Sequence, residues 1–253
     1  MNDEQQIAPV RAASIDSPSE ISTLIADQRE HWEITLSANP EMFGAEPSDS
    51  GRYAIKRFAN DGVTHVLELG AGQGRDSIGF LRAGFKVHAI DYADDAVSSI
   101  AVAAGPALVD RLTTSVHDVR EPLLFPDDSF DACYSHMLFT MALSTLELKA
   151  LAREIRRVLR PGGLCIYTVR HIGDAHYGTG RSLGDGLFEN GGFVVHFFDR
   201  SLVNDLAVGF VVEEVTEFEE GGLPRKLWRV TERKSWPAAL EMPLSIIPPR
   251  PIN

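Results

Sequence analysis

The chain has 253 residues, 44% of them hydrophobic, with a formal net charge of −12 at neutral pH. That length supports one sizeable core with modest appendages, and the acidic balance disfavours a phosphate backbone as partner. No apolar run reaches a membrane span and residues 1–30 lack the apolar core of a secretory leader, so a cytoplasmic protein without nucleic acid or membrane partners is expected.

Residues 1–20 are polar, with scattered Pro and Ser, and read as a mobile arm. A helical preface, 21–60, follows. Leu24, Ile25, Trp32 and Leu36 mark one helix, which Asn39-Pro40 and Glu46-Pro47 break. Ser48 or Asp49 caps a second helix carrying Tyr53, Ala54, Ile55 and Phe58.

From residue 61 to 234 strands and helices alternate. Strands are predicted at His65–Leu69, Lys86–Asp91, Leu112–Val116, Phe130–Ser135 and Leu164–Val169, with helices at Asp76–Arg82, Asp94–Ala103 and Thr145–Leu159 between them. The arginines 153, 156, 157 and 160 fall at the end of the last helix, where the helix dipole favours cations; this reads as a solvated helix end. A glycine-rich loop over 171–192 precedes Phe193–Phe198, a helix near Ser201–Leu206, and strands Val211–Phe218 and Leu227–Glu232 joined at Gly221-Gly222-Leu223-Pro224. Residues 235–253 are proline-rich and read as a strap or loose extension. Cys133 and Cys165 sit in apolar strand runs as small core residues. Such alternation implies right-handed crossovers, hence an α/β, Rossmann-like, doubly wound sheet.

One stretch carries the chemistry. The apolar run Val66–Leu69 ends in Gly70-Ala71-Gly72-Gln73-Gly74-Arg75-Asp76. Glycines allow positive φ and close backbone approach, and the helix N-terminus behind them offers unpaired N–H groups. Counted from Gly70, the dinucleotide fingerprint would need a third glycine where Arg75 stands, and no Gly-Lys-Ser/Thr triplet makes a phosphate loop. Asp91, 17 residues after Gly74, ends the second strand, where a carboxylate can face ribose hydroxyls or cap the next helix.

Glu68-x-Gly70-x-Gly72-x-Gly74, followed in order by Asp91, His117-Asp118-Val119, the Phe125–Asp131 run and Leu159–Gly163, resembles the class I S-adenosylmethionine-dependent methyltransferases. Gln73 and Arg75 make the turn similar to that of tellurite-resistance-type and thiopurine-type enzymes. The resemblance implies seven strands, mostly parallel with an antiparallel last one. It also implies S-adenosylmethionine as cofactor, with S-adenosylhomocysteine as product, and a small-molecule acceptor: a thiol, a chalcogen species or an aromatic heteroatom. Cofactor contacts are then expected from Glu68, Gly70, Ala71, Gly72, Gly74, Arg75, Asp91, Tyr92, Asp118, Val119 and Ser135, with Asp118 on the adenine amino group and Arg75 on the donor carboxylate. Substrate contacts are expected from Trp32, Arg170, His171 and His176. His136, His176 and Tyr177 are the catalytic candidates, a histidine serving as base or orienter, and the glycine loop could close as a lid. No histidine pair has helical i, i+4 spacing, so no metal site is expected. A protein side chain as acceptor, or a non-catalytic cofactor-binding role, stay open, as does monomer against homodimer.

Overall fold

The computed structural model describes residues 18–39, 42–221 and 225–236. The expected arm up to residue 17, the tail beyond 236 and the hairpin tip 222–224 lie outside them.

Two helices lead, α1 (Pro18–Ala38) and α2 (Asp49–Asn60). Alternation then begins with β1 (His65–Leu69), α3 (Arg75–Arg82), β2 (Lys86–Asp91), α4 (Asp94–Leu108), β3 (Leu112–Val116), β4 (Phe130–Ser135), α5 (Thr145–Val158) and β5 (Leu159–Arg170). β6 (Arg181–Gly184), β7 (Leu187–Asn190) and β8 (Phe193–His196) follow, then α6 (Arg200–Leu206), β9 (Phe210–Glu220) and β10 (Arg225–Lys234).

Seven strands form one sheet in the order β3-β2-β1-β4-β5-β10-β9. β1 pairs in parallel with β2 and β4, and β10 is antiparallel to both β5 and β9. β1 is buried on both faces, since Val66, Leu67 and Leu69 have no exposure. Apolar side chains from two helical layers cover it: Phe80, Leu81 and Ile100 on one side, Leu148, Leu151 and Ile155 on the other. Each such fully buried side chain contributes roughly 1.5–3 kcal/mol. Local signals set the helix starts. Ser144 and Glu147 form a reciprocal capping box at α5, and Ser48 Oγ accepts from Gly51 N at α2.

Two boundaries differ from expectation. α4 continues past Ala103, but Gly105 (φ 59°, ψ −177°) interrupts its helical geometry just before Pro106. β5 starts five residues early, at Leu159, because that residue already pairs with Phe130 of β4.

The larger correction concerns 171–192. It is not only a glycine loop. β6, β7 and β8 make a second, three-stranded antiparallel sheet. The turn at Asp185 (φ 51°) is tied to the start of α5, where Thr145 N and Thr145 Oγ1 donate to its carboxylate at 2.6 and 2.7 Å. Leu183, Leu187 and Val194 are buried against Ala142 and the α1 residues Leu24 and Ile25. Gln28, buried in α1, donates to Gly192 O and accepts from Val194 N, both at 2.9 Å. Thus α1 extends the edge of this sheet through a side-chain amide.

The core holds one ionisable misfit. Glu232 of β10 lies opposite Cys165, which lies opposite Cys133. All three are buried, and Glu232 Oε2 has no hydrogen-bond partner. Burial pushes the Glu232 carboxyl up to about 8 despite the Cys165 contact. Between its ordinary value and about 8 the folded state therefore holds one more proton than the unfolded chain, so stability falls as pH rises through that window. Glu232→Gln should flatten this dependence and stabilise the protein at and above about pH 8 by on the order of a few kcal/mol, read by thermal denaturation across pH.

Candidate active site

The three glycines of the turn after β1 are all left-handed, with φ of 69°, 52° and 83° for Gly70, Gly72 and Gly74. They need glycine for different reasons. A Cβ on Gly70 would fall 2.9 Å from Leu138, and one on Gly74 would fall 2.7 Å from Ile100. A Cβ on Gly72 would meet nothing within 4 Å and would stand in open space. Gly74 caps α3 without a side-chain hydrogen bond, which leaves the first-turn N–H groups unsatisfied by any cap.

Asp91 closes the turn. Its Oδ2 accepts from Gly72 N at 2.8 Å and its Oδ1 from Ala93 N at 3.0 Å. Burial raises its pKa against those bonds. The carboxylate keeps further lone pairs for hydroxyl donors.

Beside the turn lies a cavity of about 580 Å³, with Glu68, Gly70–Asp76, His136, Met137, Arg170, His176 and Glu220 among its walls. A hollow of about 110 Å³ adjoins it, lined by Gly70, Gly72, Asp91, Tyr92, His117 and Val119. Trp32 of α1 lines both. Together they have the size and the mixed lining of a small-molecule site.

Several candidates behave differently from expectation. Ser135 is buried and off the cavity wall; its Oγ donates to Leu69 O at 3.1 Å and locks β4 to β1. His171 is buried away from the cavity, stacked on Trp228 with ring centroids 4.5 Å apart, and its Nδ1 accepts from Gly173 N. Tyr177 is half exposed and packs edge-on to Phe188 and Phe197 outside the lining. Asp118 takes Arg120 in a fork, with Nη2–Oδ2 at 2.6 Å, and borders a separate hollow of about 30 Å³. An adenine amino group would have to compete with that guanidinium. Arg75 lies on the wall, but it donates to Phe43 O and to Glu220 Oε1, each at 3.0 Å. Gln73 likewise donates to Leu36 O and Asn39 O. Both therefore fasten the segment after α1 to the glycine turn.

Glu68 is fully buried against the Ser77 hydroxyl, and burial together with the Asp76 carboxylate raises its pKa. Asp76 accepts from Ser48 N at 2.7 Å, Ser48 Oγ at 2.9 Å and Tyr134 OH at 3.0 Å. This docks the start of α2 on the first turn of α3.

Two histidines line the larger cavity. Thr168 Oγ1 accepts from Met137 N at 2.9 Å and lies 3.0 Å from His136 Nδ1, to which it can donate or from which it can accept. His136 Nε2 faces Glu220 Oε2 at 3.2 Å, off the direction of a good hydrogen bond. For His176, Nδ1 faces Arg170 Nη2 at 2.8 Å. A guanidinium only donates, so Nδ1 is the acceptor and Nε2 holds the proton. His176, expected as base or orienter, thereby turns an N–H donor away from Arg170. Glu220 is anionic: burial would raise its pKa, but His136 and Arg75 outweigh burial and hold it down to about 2.

Sequence reasoning missed Glu220, Met137 and the ring wall of Phe188, Phe193 and Phe197, whereas Phe43, expected with Trp32 to cover the opening, is on the wall. Glu220 sits in a run of acidic residues with no motif to single it out. Met137 has φ 66°, a conformation costly for a side chain with Cβ, held by its N–H on Thr168. No pattern in residue types announces that. Among the described residues no group of three or more His, Cys, Asp or Glu is placed to hold a metal ion.

Comparison with known proteins agrees with this geometry. Residues 66–163 match the family described as "Methyltransferase domain". Over those residues the chain is similar to a methyltransferase domain, and the resemblance of its motifs implies S-adenosylmethionine as cofactor. A probable methyltransferase, ltbC of Aspergillus luteorubrus, is 30% identical over 108 residues, 40% of this chain and 38% of that protein. The chain thus matches about two fifths of that relative's length. In fold it is similar to the 1,6-didemethyltoxoflavin N1-methyltransferase of Burkholderia thailandensis, whose structure holds 1,6-didemethyltoxoflavin and S-adenosylhomocysteine. The TM-score is 0.67 at 22% identity, covering 90% of this chain and 94% of that one. It is also similar to the [4+2]-cyclase SpnF, with TM-score 0.62 at 17% identity, covering 91% and 100%.

The residues present fit the cofactor. The open space above Gly72 and the half-buried Asp91 carboxylate beside it form a cradle for a nucleoside. Gly72→Ala should lower S-adenosylhomocysteine affinity at least tenfold while costing roughly 1–2 kcal/mol of stability for the left-handed Cβ. Gly74→Ala adds the Ile100 clash and should cost more stability than that. Calorimetry and thermal denaturation of the two variants separate ligand space from packing.

Proposed function

We propose that the protein transfers a methyl group from S-adenosylmethionine to a small molecule bound in the cavity beside the glycine turn. The observation that carries this reading is a walled cavity of about 580 Å³ that runs from the Gly70–Asp76 turn to the ring wall of β7, β8 and Phe197. A protein side chain would need an open groove; here α1, the segment after it and the second sheet contribute to the walls. The toxoflavin enzyme's ring-nitrogen acceptor, as its name states, is consistent with an aromatic heteroatom. Thiol and chalcogen acceptors also fit, because such nucleophiles need little proton removal.

The cofactor supplies an electrophilic methyl on a sulfonium; the chain supplies alignment and a dry surrounding. Asp91 would receive the ribose hydroxyls, and Gly72 and the first turn of α3 would border the rest of the donor. The Glu220 carboxylate, near His136 and Arg75, places a negative charge on the wall where a sulfonium is to be accommodated. Trp32 and Phe43 exclude water from above.

The test is calorimetric titration with S-adenosylhomocysteine, followed by a methyl-transfer screen over thiols, phenols, nitrogen heterocycles, selenite and tellurite. One-to-one binding with turnover of at least one small acceptor is expected. Binding without any turnover would favour a non-catalytic role, and no binding would remove the proposal. Asp91→Ala should weaken binding roughly 10- to 100-fold, the worth of a hydrogen-bonded charged acceptor.

A further inference from the structure

We infer that the acceptor is a planar aromatic molecule carrying a hydrogen-bond-accepting oxygen, and that His176 holds that oxygen through Nε2–H. The inference rests on the small-molecule methyl transfer proposed above and names its substrate class.

The first observation is the relay behind His176. Asp174 and Arg170 are both buried, with 5% and 7% exposure, and pair through Arg170 Nη2–Asp174 Oδ1 at 2.6 Å. The same Nη2 donates to His176 Nδ1 at 2.8 Å. Asp174 also accepts from His176 N and from Lys226 N, both at 2.8 Å, so loop and β10 share one anchor. Asp174 is thereby held below its ordinary pKa, as Arg170 and those backbone donors outweigh burial. The result is an imidazole of one tautomer, clamped on a glycine loop, with its single N–H on the side away from Arg170. A fixed donor on a cavity wall selects an acceptor atom in the ligand.

The second observation is the surface beside that donor. Phe188, Phe193 and Phe197 line the same cavity with Trp32. Phe188 and Phe197 meet edge to face at 5.9 Å, Trp32 and Phe193 are tilted at 5.0 Å, and the Arg170 cation sits 5.0 Å over Phe197. Four rings, from α1, β7, β8 and the residue after β8, present faces and edges that pair with a flat π-system better than with a flexible chain. Asn190 is a further polar side chain on that wall.

Four probes test this by ligand-observed NMR titration in the presence of S-adenosylhomocysteine, whose own binding is measured separately by calorimetry. They are 4-hydroxyacetophenone, 4-hydroxybenzoate, 4-ethylphenol and the saturated ketone 1-(4-hydroxycyclohexyl)ethanone. The two aromatics that carry a carbonyl or carboxylate oxygen should bind at least tenfold tighter than 4-ethylphenol and than the saturated ketone. A preference for benzoate over acetophenone would identify the oxygen as anionic, and the reverse as a carbonyl. His176→Leu should erase the difference between 4-hydroxyacetophenone and 4-ethylphenol, and His176→Gln, which keeps an N–H donor, should retain most of it. Equal binding of all four probes, no binding of any aromatic probe, or a difference that survives His176→Leu would overturn the inference. If S-adenosylhomocysteine binds and the aromatic discrimination is absent, only this inference falls; if it fails to bind, the methyl-transfer reading falls with it.

Discussion

One constraint supports the rest: the backbone between β1 and α3 must turn through three left-handed residues, and the Asp91 carboxylate holds it there through Gly72 N–H. Without that turn α3 could not start where its N–H groups face the cavity. The neighbours of the turn carry the constraint outward. Asp76, in the first turn of α3, binds the Ser48 cap of α2 and the Tyr134 hydroxyl of β4. Gln73 and Arg75 bind the carbonyls of Leu36, Asn39 and Phe43. The helices at the start of the chain are thus fastened to the ligand turn by polar side chains, not by apolar packing alone.

The polar groups on the cavity wall are committed in a definite sense. His176 accepts at Nδ1 and donates at Nε2, because a guanidinium stands behind it. Glu220 stays ionised beside Arg75 and His136. Such a site orients and stabilises charge more readily than it removes protons, which suits a reaction whose reactivity is brought by the cofactor. Met137 holds a strained backbone at the end of β4 where the strand meets the cavity, a place where strain is tolerated because Thr168 fixes the amide.

The fold shared with a [4+2]-cyclase shows how little the sheet alone decides about the reaction. In this chain the wall opposite the glycine turn lies outside that sheet. Here that wall is built by α1 and a three-stranded sheet joined through Gln28.

The sequence by itself determined the strand order's ingredients, the glycine turn and Asp91, because these depend on local rules: apolar periodicity, positive φ and fixed spacing along the chain. The four strands from His65 to Ser135 were legible to the residue for that reason. Only the tertiary structure decided which polar groups are free. Ser135 and His171 end their strands near the ligand in chain position, yet face Leu69 O and Trp228 instead. Arg75 looked available for a carboxylate until the hairpin of β9 and β10, 145 residues further on, brought Glu220 against it. The first two strands of the second sheet were hidden because they are four residues long and set among glycine turns, so that their pairing, and not their composition, defines them. Partners far apart in sequence leave no spacing to read, and it is those partners that set tautomer, charge and direction at this site.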